Sequence, residues 1–558
     1  MNSTRNHSGV IYGLDDRPPP LRATGLALQH VLTMFGSTVA VPLIFGPLLW
    51  PVPEDLPEQI RSLLLGRQLS NTALLISSVM LCSGVATLLQ STFGSRLPII
   101  QGVSFSFLAA FFGIVAATQS SSAPDWSAVV AGDVTDTTIS PLVEQWQAAG
   151  GHGMRTIAGA VLIGGVLEAV IGFMGLMGVV RRFLSPVVIG PVVMLIGLAL
   201  YQVGAPVAAS NWMVSISMMV LIVLFALVLS RRIRVFQQFP MLLAIVVMVS
   251  TCWWLGRRGF LPPGDPAYVD LSTFDHAPWF RIKDVFLPWG FPEWSMSALV
   301  AVLAGYLASM IESFGDYHAC KNMAGGGDPS QREISRGIGT EGIGCALTGL
   351  LGGFSSTSYS ENIGLIGLTK VGSRYVVQIG AVLLICLGLF GKFGALASAI
   401  PKPVVGGLYC ALFGLISAVG VRQFAKADLN SDRNLFIGGF ALFMGLSLPA
   451  WFQSPEAAES ISSLHALLLD KLETWFGPLD QVDVDWRVTL ANSFTESLSA
   501  IGKTGMAVAA ILGIALDNLV PGSREERGLS EPPRMVVPEA GDLGIDETDR
   551  GENGGNQA

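Results

Sequence analysis

The sequence contains little charge for its length. Only 13% of its 558 residues are Asp, Glu, Lys or Arg, whereas 51% are hydrophobic; an ordinary soluble domain carries about 25% charged residues. This composition excludes a soluble enzyme and a disordered chain. The net charge of −8 also argues against nucleic acid as a partner, since binding to phosphates needs a basic surface. A polytopic membrane protein remains, because about 14 spans of about 20 residues would use about 280 residues.

Cysteine is also scarce, and the motifs of metal or covalent chemistry are missing. The six cysteines form no CxxC pair, so neither a disulfide framework nor a metal site is expected. HExxH, paired aspartates suited to proteolysis and a Ser/His pair are absent, which argues against an intramembrane enzyme. Residues 1–20 are polar and lack the apolar run of a cleavable signal peptide. We therefore expect a non-enzymatic membrane protein without a cofactor.

Apolar windows predict an all-α protein with 14 membrane segments. The third and tenth segments are short and interrupted by Ser, Gly and Asn, which fits poorly with a continuous lipid-facing helix. The predicted segments are residues 24–46, 71–92, 98–117, 155–179, 184–202, 212–230, 239–256, 295–318, 334–352, 359–369, 375–397, 402–420, 434–452 and 500–519.

The distribution of Lys and Arg predicts the orientation of these segments. If the N-terminus is inside, 21 of the 33 basic residues fall in inner loops, as the positive-inside rule requires. The long loops 118–154, 257–294 and 453–499 are then outside. An even number of segments places both termini in the cytoplasm, and we expect a multi-pass protein of the plasma (inner) membrane. The polar, acidic tail 521–558 is predicted to be disordered.

An internal repeat divides the chain into two halves. The stretch SPVVIGPVVMLIGLAL (185–200) is similar to KPVVGGLYCALFGLIS (402–417). Each half then holds seven segments, and an odd number forces the two halves into opposite orientations. Two inverted repeats with broken helices are typical of secondary transporters, whose binding site lies near the membrane midplane.

Three acids within or beside the apolar segments are candidates for the site. Glu312 lies in the eighth segment and Glu361 in the tenth, and Asp316 follows Glu312 by one helical turn. A carboxylate in the bilayer costs at least about 2.5–3.5 kcal/mol, so these side chains should face a cavity and have a function. Burial and mutual repulsion both favour the protonated form of such groups. The acids could therefore carry a proton.

The interrupted segments offer a second kind of binding group. A broken helix leaves backbone N–H and C=O groups without partners, and in lipid these must be satisfied by protein or ligand. QGVSFSF (101–107) and YSENIG (359–364) could therefore bind a small planar ligand that has amide edges. Phe105 or Phe107 could stack on its ring, although aromatic residues in apolar segments are usually packing residues. GIGTEG (337–342) lacks the strand context of a dinucleotide site and indicates close helix packing.

These residues resemble the nucleobase–ascorbate transporter family (nucleobase:cation symporter 2, the xanthine/uracil permeases). ENIGLIGLTK (361–370) matches the family signature [Q/E/P]-N-x-G-x-x-x-x-T-[R/K/G], and the resemblance extends from about residue 22 to 520. It implies fourteen segments as two inverted repeats of seven, with short extended stretches in segments 3 and 10. It also implies a homodimer and elevator-type alternating access. The implied parts are two tails (1–21 and 521–558), a core domain (22–179 and 295–397) and a gate domain (180–294 and 398–520).

The resemblance also implies roles for individual residues. Glu312 and Glu361 would accept hydrogen bonds from ring N–H groups of a nucleobase. The backbone at Ser104–Phe105 and at Ser360 would meet its carbonyl groups, and Asn362 would support the site. The proton-coupling residues would be Glu312, Glu361, Asp316 and His30.

The substrate and the coupling ion have alternatives. Glu at the first signature position is found in uracil permeases, so Glu361 favours uracil; Asp316 is more similar to purine and ascorbate carriers, so a xanthine-like purine comes next. Proton symport is expected, with Na⁺ as the other coupling ion. The alternatives are an ascorbate/Na⁺ symporter of the same family, and an anion exchanger or channel of the same seven-plus-seven architecture. The latter should carry a basic residue at the site.

Overall fold

The first half of the chain folds into helices interrupted by one short strand. In this computed structural model, residues 10–132, 135–476 and 486–529 are described. A π-helical turn (Leu224–Val228) and a 3₁₀ turn (Leu229–Arg231) extend α9. The elements are α1 (Pro20–Leu49), α2 (Glu58–Thr92), β1 (Gln101–Val103), a 3₁₀ turn (Phe105–Phe107), α3 (Leu108–Ser122), α4 (Ser127–Val130), α5 (Asp136–Phe173), α6 (Met177–Phe183), α7 (Pro186–Ala199), α8 (Tyr201–Ala209), α9 (Trp212–Val223), α10 (Arg234–Gln238), α11 (Pro240–Arg257) and α12 (Ser272–His276).

The second half repeats the order helix, helix, strand, helix with which the first half begins. Its elements are α13 (Met296–Met323), α14 (Gln331–Leu350), β2 (Ser356–Ser358), α15 (Ser360–Thr369), α16 (Arg374–Leu389), α17 (Gly391–Ser398), α18 (Lys402–Phe424), α19 (Asp432–Phe452), α20 (Pro455–Phe476), α21 (Trp486–Lys503) and α22 (Gly505–Leu519). Of the tail predicted to be disordered, residues 521–529 are described, and Arg527 in this stretch binds the buried Asp517 at the end of α22. Residues 530–558 lie outside the described part of the chain.

Several helix ends follow from local sequence. Proline occupies the first turn of α1, α7, α11 and α18, where its missing N–H costs nothing and its fixed φ suits a helix. Ser330 and Glu333 form a capping box at the start of α14. The last helix turn of α15 ends at Lys370, which adopts a left-handed conformation (φ 58°).

The protein is mostly helical and has many helices suited to a membrane. Ten described helical spans are long and apolar enough to cross a bilayer, or eleven if α21 and α22, which meet at 93°, form one bent span. The fourteen-segment prediction includes α14, α15 and α16, which fall short of that measure. α15 has only ten residues, and α16, although apolar, has sixteen, so both are too short. α14 has twenty residues but carries charged and polar side chains.

The two short strands lie at the predicted interruptions: β1 is within the third segment, and β2 directly precedes the tenth. β1 and β2 pair antiparallel, with Gln101 opposite Ser358 and Val103 opposite Ser356. The central residue of β1 is Gly102, and a Cβ atom there would lie 2.4 Å from the Tyr359 ring. The strand pair therefore requires glycine at this position, because a side chain would displace the aromatic ring that follows β2.

The helices pack around one large apolar cluster and several smaller ones. α14 packs along α5, α2 along α16, and α18 contacts α7, α8 and α9. A separate cluster joins α7, α19 and α22 and includes the buried residues Leu195, Ala441 and Met506. Phe105 and Leu307 of α13 pack against this second cluster. The strand pair and α13 thus lie at the boundary between two packed groups of helices.

Candidate functional site

The candidate site is built around the paired strands, where two helices begin. Beyond β1 the chain enters the 3₁₀ turn that leads to α3, and beyond β2 it enters α15. Tyr359 precedes α15 without a side-chain cap, so the N–H groups of its first turn have no partner within the helix. The backbone N–H of Ser104 donates to the carbonyl of Ser355 (3.1 Å). The backbone at Ser104–Phe105 was predicted to bind the carbonyl groups of a ligand. The Ser104 N–H is already bonded within the protein, so only the Phe105 N–H remains for that role.

The structure brings the three predicted acids together. Glu312 and Asp316 lie one turn apart on α13, and the charge of Glu312 interacts with those of both Asp316 and Glu361. Ser360 donates its hydroxyl group to the two carboxyl oxygens of Asp316, at 2.8 and 3.0 Å. Among the residues the structure describes, no Lys or Arg side chain acts on Glu312 or Glu361. The charge of Lys426 acts on Asp316, so the site combines three acids with one basic side chain and is acidic overall.

Glu361 lies inside the protein but remains accessible. Ser37 of α1 donates to its Oε1 atom at 3.4 Å, and Tyr359, two residues earlier, is buried. Ser360 and Glu361 are nevertheless exposed, and so are Gly364 and Leu368 at helical spacing along α15. One face of α15 is thus open from Glu361 to the loop at Lys370. A small ligand or water could reach the acids along this face.

His30 and Asn362 form a separate pair. The Asn362 side-chain amide donates to the backbone carbonyl of His30 (2.9 Å) and lies 3.1 Å from its Nδ1 atom. Both residues are buried. No carboxylate in the described part of the chain acts on the charge of this imidazole. The structure therefore places His30 as the anchor of Asn362, apart from the Asp316 carboxyl group with which the resemblance associates it.

The two candidate aromatic residues occupy different environments. Phe107 is fully buried and meets the Tyr306 ring edge-on, with centroids 4.7 Å apart, so it is a packing residue. Phe105 is half-buried at the boundary of the two apolar clusters. Of the two, Phe105 has a ring that a ligand could reach.

Two further acids lie next to the site, and the sequence patterns did not point to them. Glu341 of α14 is buried and accepts hydroxyl groups of Ser313 (2.6 Å) and Tyr317 (2.8 Å). Glu168 of α5 is equally buried, and its charge interacts with that of Glu341. The cost of charge in apolar segments, which pointed to Glu312 and Glu361, applies equally to these two residues. Glu341 was obscured because it lies in GIGTEG, whose glycines do pack closely against α5.

Together these features define a class: a multi-pass membrane protein with a small acidic site where interrupted segments meet, as in secondary transporters. Comparison with known proteins gives the family. A family model described as "Permease family" matches residues 22–454. Solute carrier family 23 member 1 of Mus musculus is 35% identical over 93% of this chain and 82% of its own length. Member 2 of Homo sapiens is 33% identical over 94% of this chain and 76% of its own length.

Plant relatives are also similar. Nucleobase-ascorbate transporter 12 of Arabidopsis thaliana is 31% identical over 93% of this chain and 71% of its own length. The chain belongs to this family of permeases, the solute carrier 23 and nucleobase–ascorbate transporters. The resemblance predicted from the signature is confirmed, and so is the expectation that the protein is a transporter and not an enzyme, since its relatives are solute carriers.

Solved structures of other transporters are similar at a lower level. The transmembrane domain of the cyanobacterial bicarbonate transporter BicA has a TM-score of 0.46 and 12% identity, covering 76% of this chain and 95% of that domain. The structure of SLC26A9 has a TM-score of 0.47 and 12% identity, covering 75% of this chain and 62% of its own.

Proposed function

We propose that the protein is a secondary active transporter that imports a nucleobase together with a proton. Uracil is the first candidate, and a xanthine-like purine is the second. The observation that carries this proposal is the proximity of Glu312 and Glu361 beside the start of α15. Two carboxyl groups, and first-turn N–H groups of α15 that have no partner within the helix, together provide acceptors and donors for a single small ligand.

The edge of a nucleobase suits this arrangement because it alternates ring N–H groups with carbonyl groups. Glu312 and Glu361 would accept from the N–H groups through charge-assisted hydrogen bonds. The N–H groups at Ser360 and Phe105 would donate to the carbonyl oxygens, since helix N-termini favour negative atoms. Phe105 would stack on the ring, and Asn362 would hold the first turn of α15 against α1 through His30. These assignments cover the predicted binding residues, with the Ser104 N–H replaced by that of Phe105.

Proton coupling follows from the number of acids. Glu312, Asp316 and Glu361 interact with one another, and no basic side chain among the described residues compensates Glu312 or Glu361. Carrying several carboxylates through a dry barrier is costly, so binding one proton would lower that cost. His30, which is held by Asn362, would contribute by positioning and not by direct contact with these acids.

The movement would be of the elevator type. The core domain (22–179 and 295–397) would carry the site past the gate domain (180–294 and 398–520), and the two inverted repeats would supply both domains. The contact of Phe105 and α13 with the cluster of α7, α19 and α22 supports a sliding boundary at the site. Exposed apolar residues on α9, α11 and α19 support lipid contact and a homodimer through the gate. We place the protein in the plasma membrane with both termini in the cytoplasm.

Symport of ascorbate with Na⁺ is the alternative within the family, because three plant relatives are named nucleobase-ascorbate transporters. An anionic substrate would meet Glu361 as a like charge unless that acid is protonated. The same argument disfavours the anion exchanger, which needs a cation at the site. The acidic character of the site therefore favours a neutral nucleobase.

Uptake into proteoliposomes tests the proposal. Purified protein should accumulate labelled uracil when the outside is acidic, and an uncoupler should abolish the accumulation. A Na⁺ gradient at equal pH on both sides is the control for the other coupling ion. Labelled ascorbate and chloride, offered separately, test the alternatives. Accumulation of ascorbate driven by Na⁺, with no uracil uptake, would overturn the proposal.

A further inference from the structure

Glu168 and Glu341 form a buried acid pair between α5 and α14. Their side chains are 1% and 2% exposed, and their charges interact. Glycines bring the two helices into backbone contact: a Cβ atom at Gly172 would lie 2.2 Å from the Gly339 nitrogen, and one at Gly342 would lie 2.3 Å from the Ala169 nitrogen. The two acids therefore lie on helices that are in close backbone contact.

The surroundings of Glu341 suit a carboxylate anion. Its Oε1 atom accepts hydroxyl groups of Ser313 (2.6 Å) and Ser309 (3.3 Å), and its Oε2 atom accepts those of Tyr317 (2.8 Å) and Ser358 (3.4 Å). Gln90 in turn donates to the Tyr317 hydroxyl at 2.7 Å, which orients the tyrosine proton toward Glu341. An ionised carboxylate only accepts hydrogen bonds. Ser313, Tyr317 and Ser358 satisfy both of its oxygens, and the single proton of Ser309 is shared between Glu341 and Thr357.

The surroundings of Glu168 are the opposite. Neither of its carboxyl oxygens accepts a hydrogen bond of good geometry in the described chain, and the side-chain donor that acts on it is the weak Cys345 thiol. The titratable groups that face it are Tyr306 and Tyr317 of α13 and Cys345 of α14, besides Glu341. Each has its proton directed elsewhere: Tyr306 to the carbonyl of Val161 (2.6 Å), Tyr317 to Glu341, and Cys345 to the carbonyl of Ser356 (3.1 Å).

In the described part of the chain, no positive charge compensates Glu168. Within the described residues, no Lys, Arg or His acts on Glu168, and α3, which also packs against α5, contains no titratable residue. A buried charge without a partner or hydrogen bonds is strongly disfavoured, so such a group takes its neutral form. The described residues also contain no cluster of three His, Cys, Asp or Glu side chains that could hold a metal ion. A proton is therefore the ligand that fits.

We propose that Glu168 is a proton-binding site, distinct from the acids that face the substrate, and that it shares one proton with the anionic Glu341. The proposal extends the proposed proton symport and rests on it for its role in transport. Moving the proton breaks the O–H bond on Glu168 and forms one on Glu341, so the pair keeps its single negative charge. A protonated Glu341 offers fewer acceptor sites to the hydroxyl groups around it, so their hydrogen bonds would have to rearrange.

The hydroxyl donors connect this pair to the substrate site. Ser358 belongs to β2 and precedes Ser360 by two residues, and the Thr357 hydroxyl lies 2.9 Å from that of Ser309. Ser358 also accepts from Gln101 of β1 at 3.0 Å. A change in the protonation of Glu341 would therefore alter the hydrogen bonds to both strands. Because β2 leads directly into α15, this change would also shift the start of α15, which carries Glu361.

Infrared spectroscopy of purified, substrate-free protein tests the site directly, since a protonated carboxyl group has its own carbonyl stretch. Near neutral pH the wild type should show this band, and Glu168→Gln should lose part of it. Glu341→Gln should leave the Glu168 contribution in place, and Glu293→Gln, outside the membrane, is the matched control. If Glu168→Gln does not fold, wild type and Glu168→Asp labelled with ¹³C in glutamate carboxyl groups provide the same comparison, because the aspartate component would stay unlabelled.

Three results would overturn the inference: a spectrum unchanged by Glu168→Gln, loss of the same component in Glu341→Gln alone, or a band that disappears when Na⁺ is added at constant pH. The experiment needs no substrate, so it is independent of uracil uptake. Uptake without the Glu168 band contradicts this inference alone, whereas the band without uptake contradicts the proposed function alone.

Discussion

The hydroxyl group of Ser360 donates to both carboxyl oxygens of Asp316, at 2.8 and 3.0 Å. This contact ties the first residue of α15 to α13, one turn beyond Glu312. The residue after Ser360 is Glu361, so the contact also sets the position of that carboxyl group relative to Glu312. The two acids of the candidate site are thus positioned by a hydrogen bond between their neighbours.

Replacement of Ser360 by Ala should weaken substrate affinity. A hydrogen bond to a charged group contributes about 1.5–3 kcal/mol, and since only the positioning of Glu361 depends on it, we expect a rise in KM of about three- to tenfold. Ser360→Thr should retain most of the affinity because it keeps the hydroxyl group. The measurement is concentration-dependent uracil uptake, with Ser463→Ala on the exposed face of α20 as the control. Equal KM values for Ser360→Ala and wild type would contradict the positioning role.

Replacement of Gly102 by Ala should disrupt the strand pair. The new Cβ atom would lie 2.4 Å from the Tyr359 ring, and overpacking of a buried site costs about 1–3 kcal/mol. We expect a lower melting temperature and loss of uracil binding. Gly113→Ala on α3 is the matched control, since a Cβ atom there meets nothing within 4 Å. Similar melting temperatures for the two variants would contradict the prediction, because the backbone at Gly102 would then move enough to accommodate a side chain.

The loop before α13 provides a prediction about pH. Partial burial alone would raise the pKa of Glu293, but the hydrogen bonds and charges of Arg155 and His152 hold it below its ordinary value of 4.5. A lowered folded-state pKa stabilises the protein above the unfolded pKa, and this contribution disappears as pH falls through the folded pKa. The melting temperature of wild type should therefore fall more steeply below about pH 4.5 than that of Glu293→Gln. Parallel curves for the two proteins would contradict this.

Replacement of Glu361 by Gln should change substrate preference. A neutral amide gives up a charge-assisted hydrogen bond to a ring N–H group, so uracil should bind about ten- to a hundredfold more weakly. Oxidised purines should gain relative to uracil, because Gln occupies this signature position in the family's xanthine and urate carriers. The measurement is competition of labelled uracil uptake by xanthine, hypoxanthine, urate and ascorbate, with Glu473→Gln on α20 as the control. An unchanged order of competitors would remove Glu361 from selectivity.

The acids that face the site could be predicted from the sequence because of a single physical argument, the cost of charge in an apolar segment. The interruptions could be predicted from composition, because Ser, Gly and Asn do not suit a continuous lipid-facing helix. The structure shows β1 and β2 at these interruptions. The register of these strands could not be predicted. It pairs residues more than 250 positions apart and depends on the fit of Gly102 to Tyr359, which no local pattern shows.

The buried pair of Glu168 and Glu341 was missed for a related reason. Their proximity depends on the packing of α5 against α14, and the glycines that allow it were interpreted as packing alone. The roles of His30 and Asn362 also needed the structure, because the contact between α1 and α15 is specified only by the folded chain. A span count by length and hydropathy leaves out α14 to α16, because α14 carries charged residues and α15 and α16 are short.

Equilibrium binding of labelled uracil to purified protein tests the central claim most directly. Glu312→Gln and Glu361→Gln should each weaken binding by about tenfold or more, because each removes a charged acceptor from one small ligand. The double variant should bind hardly better than a control without protein, and Glu333→Gln, at the capped start of α14, should bind like wild type. Undiminished uracil binding in the double variant would contradict a shared site at these two acids.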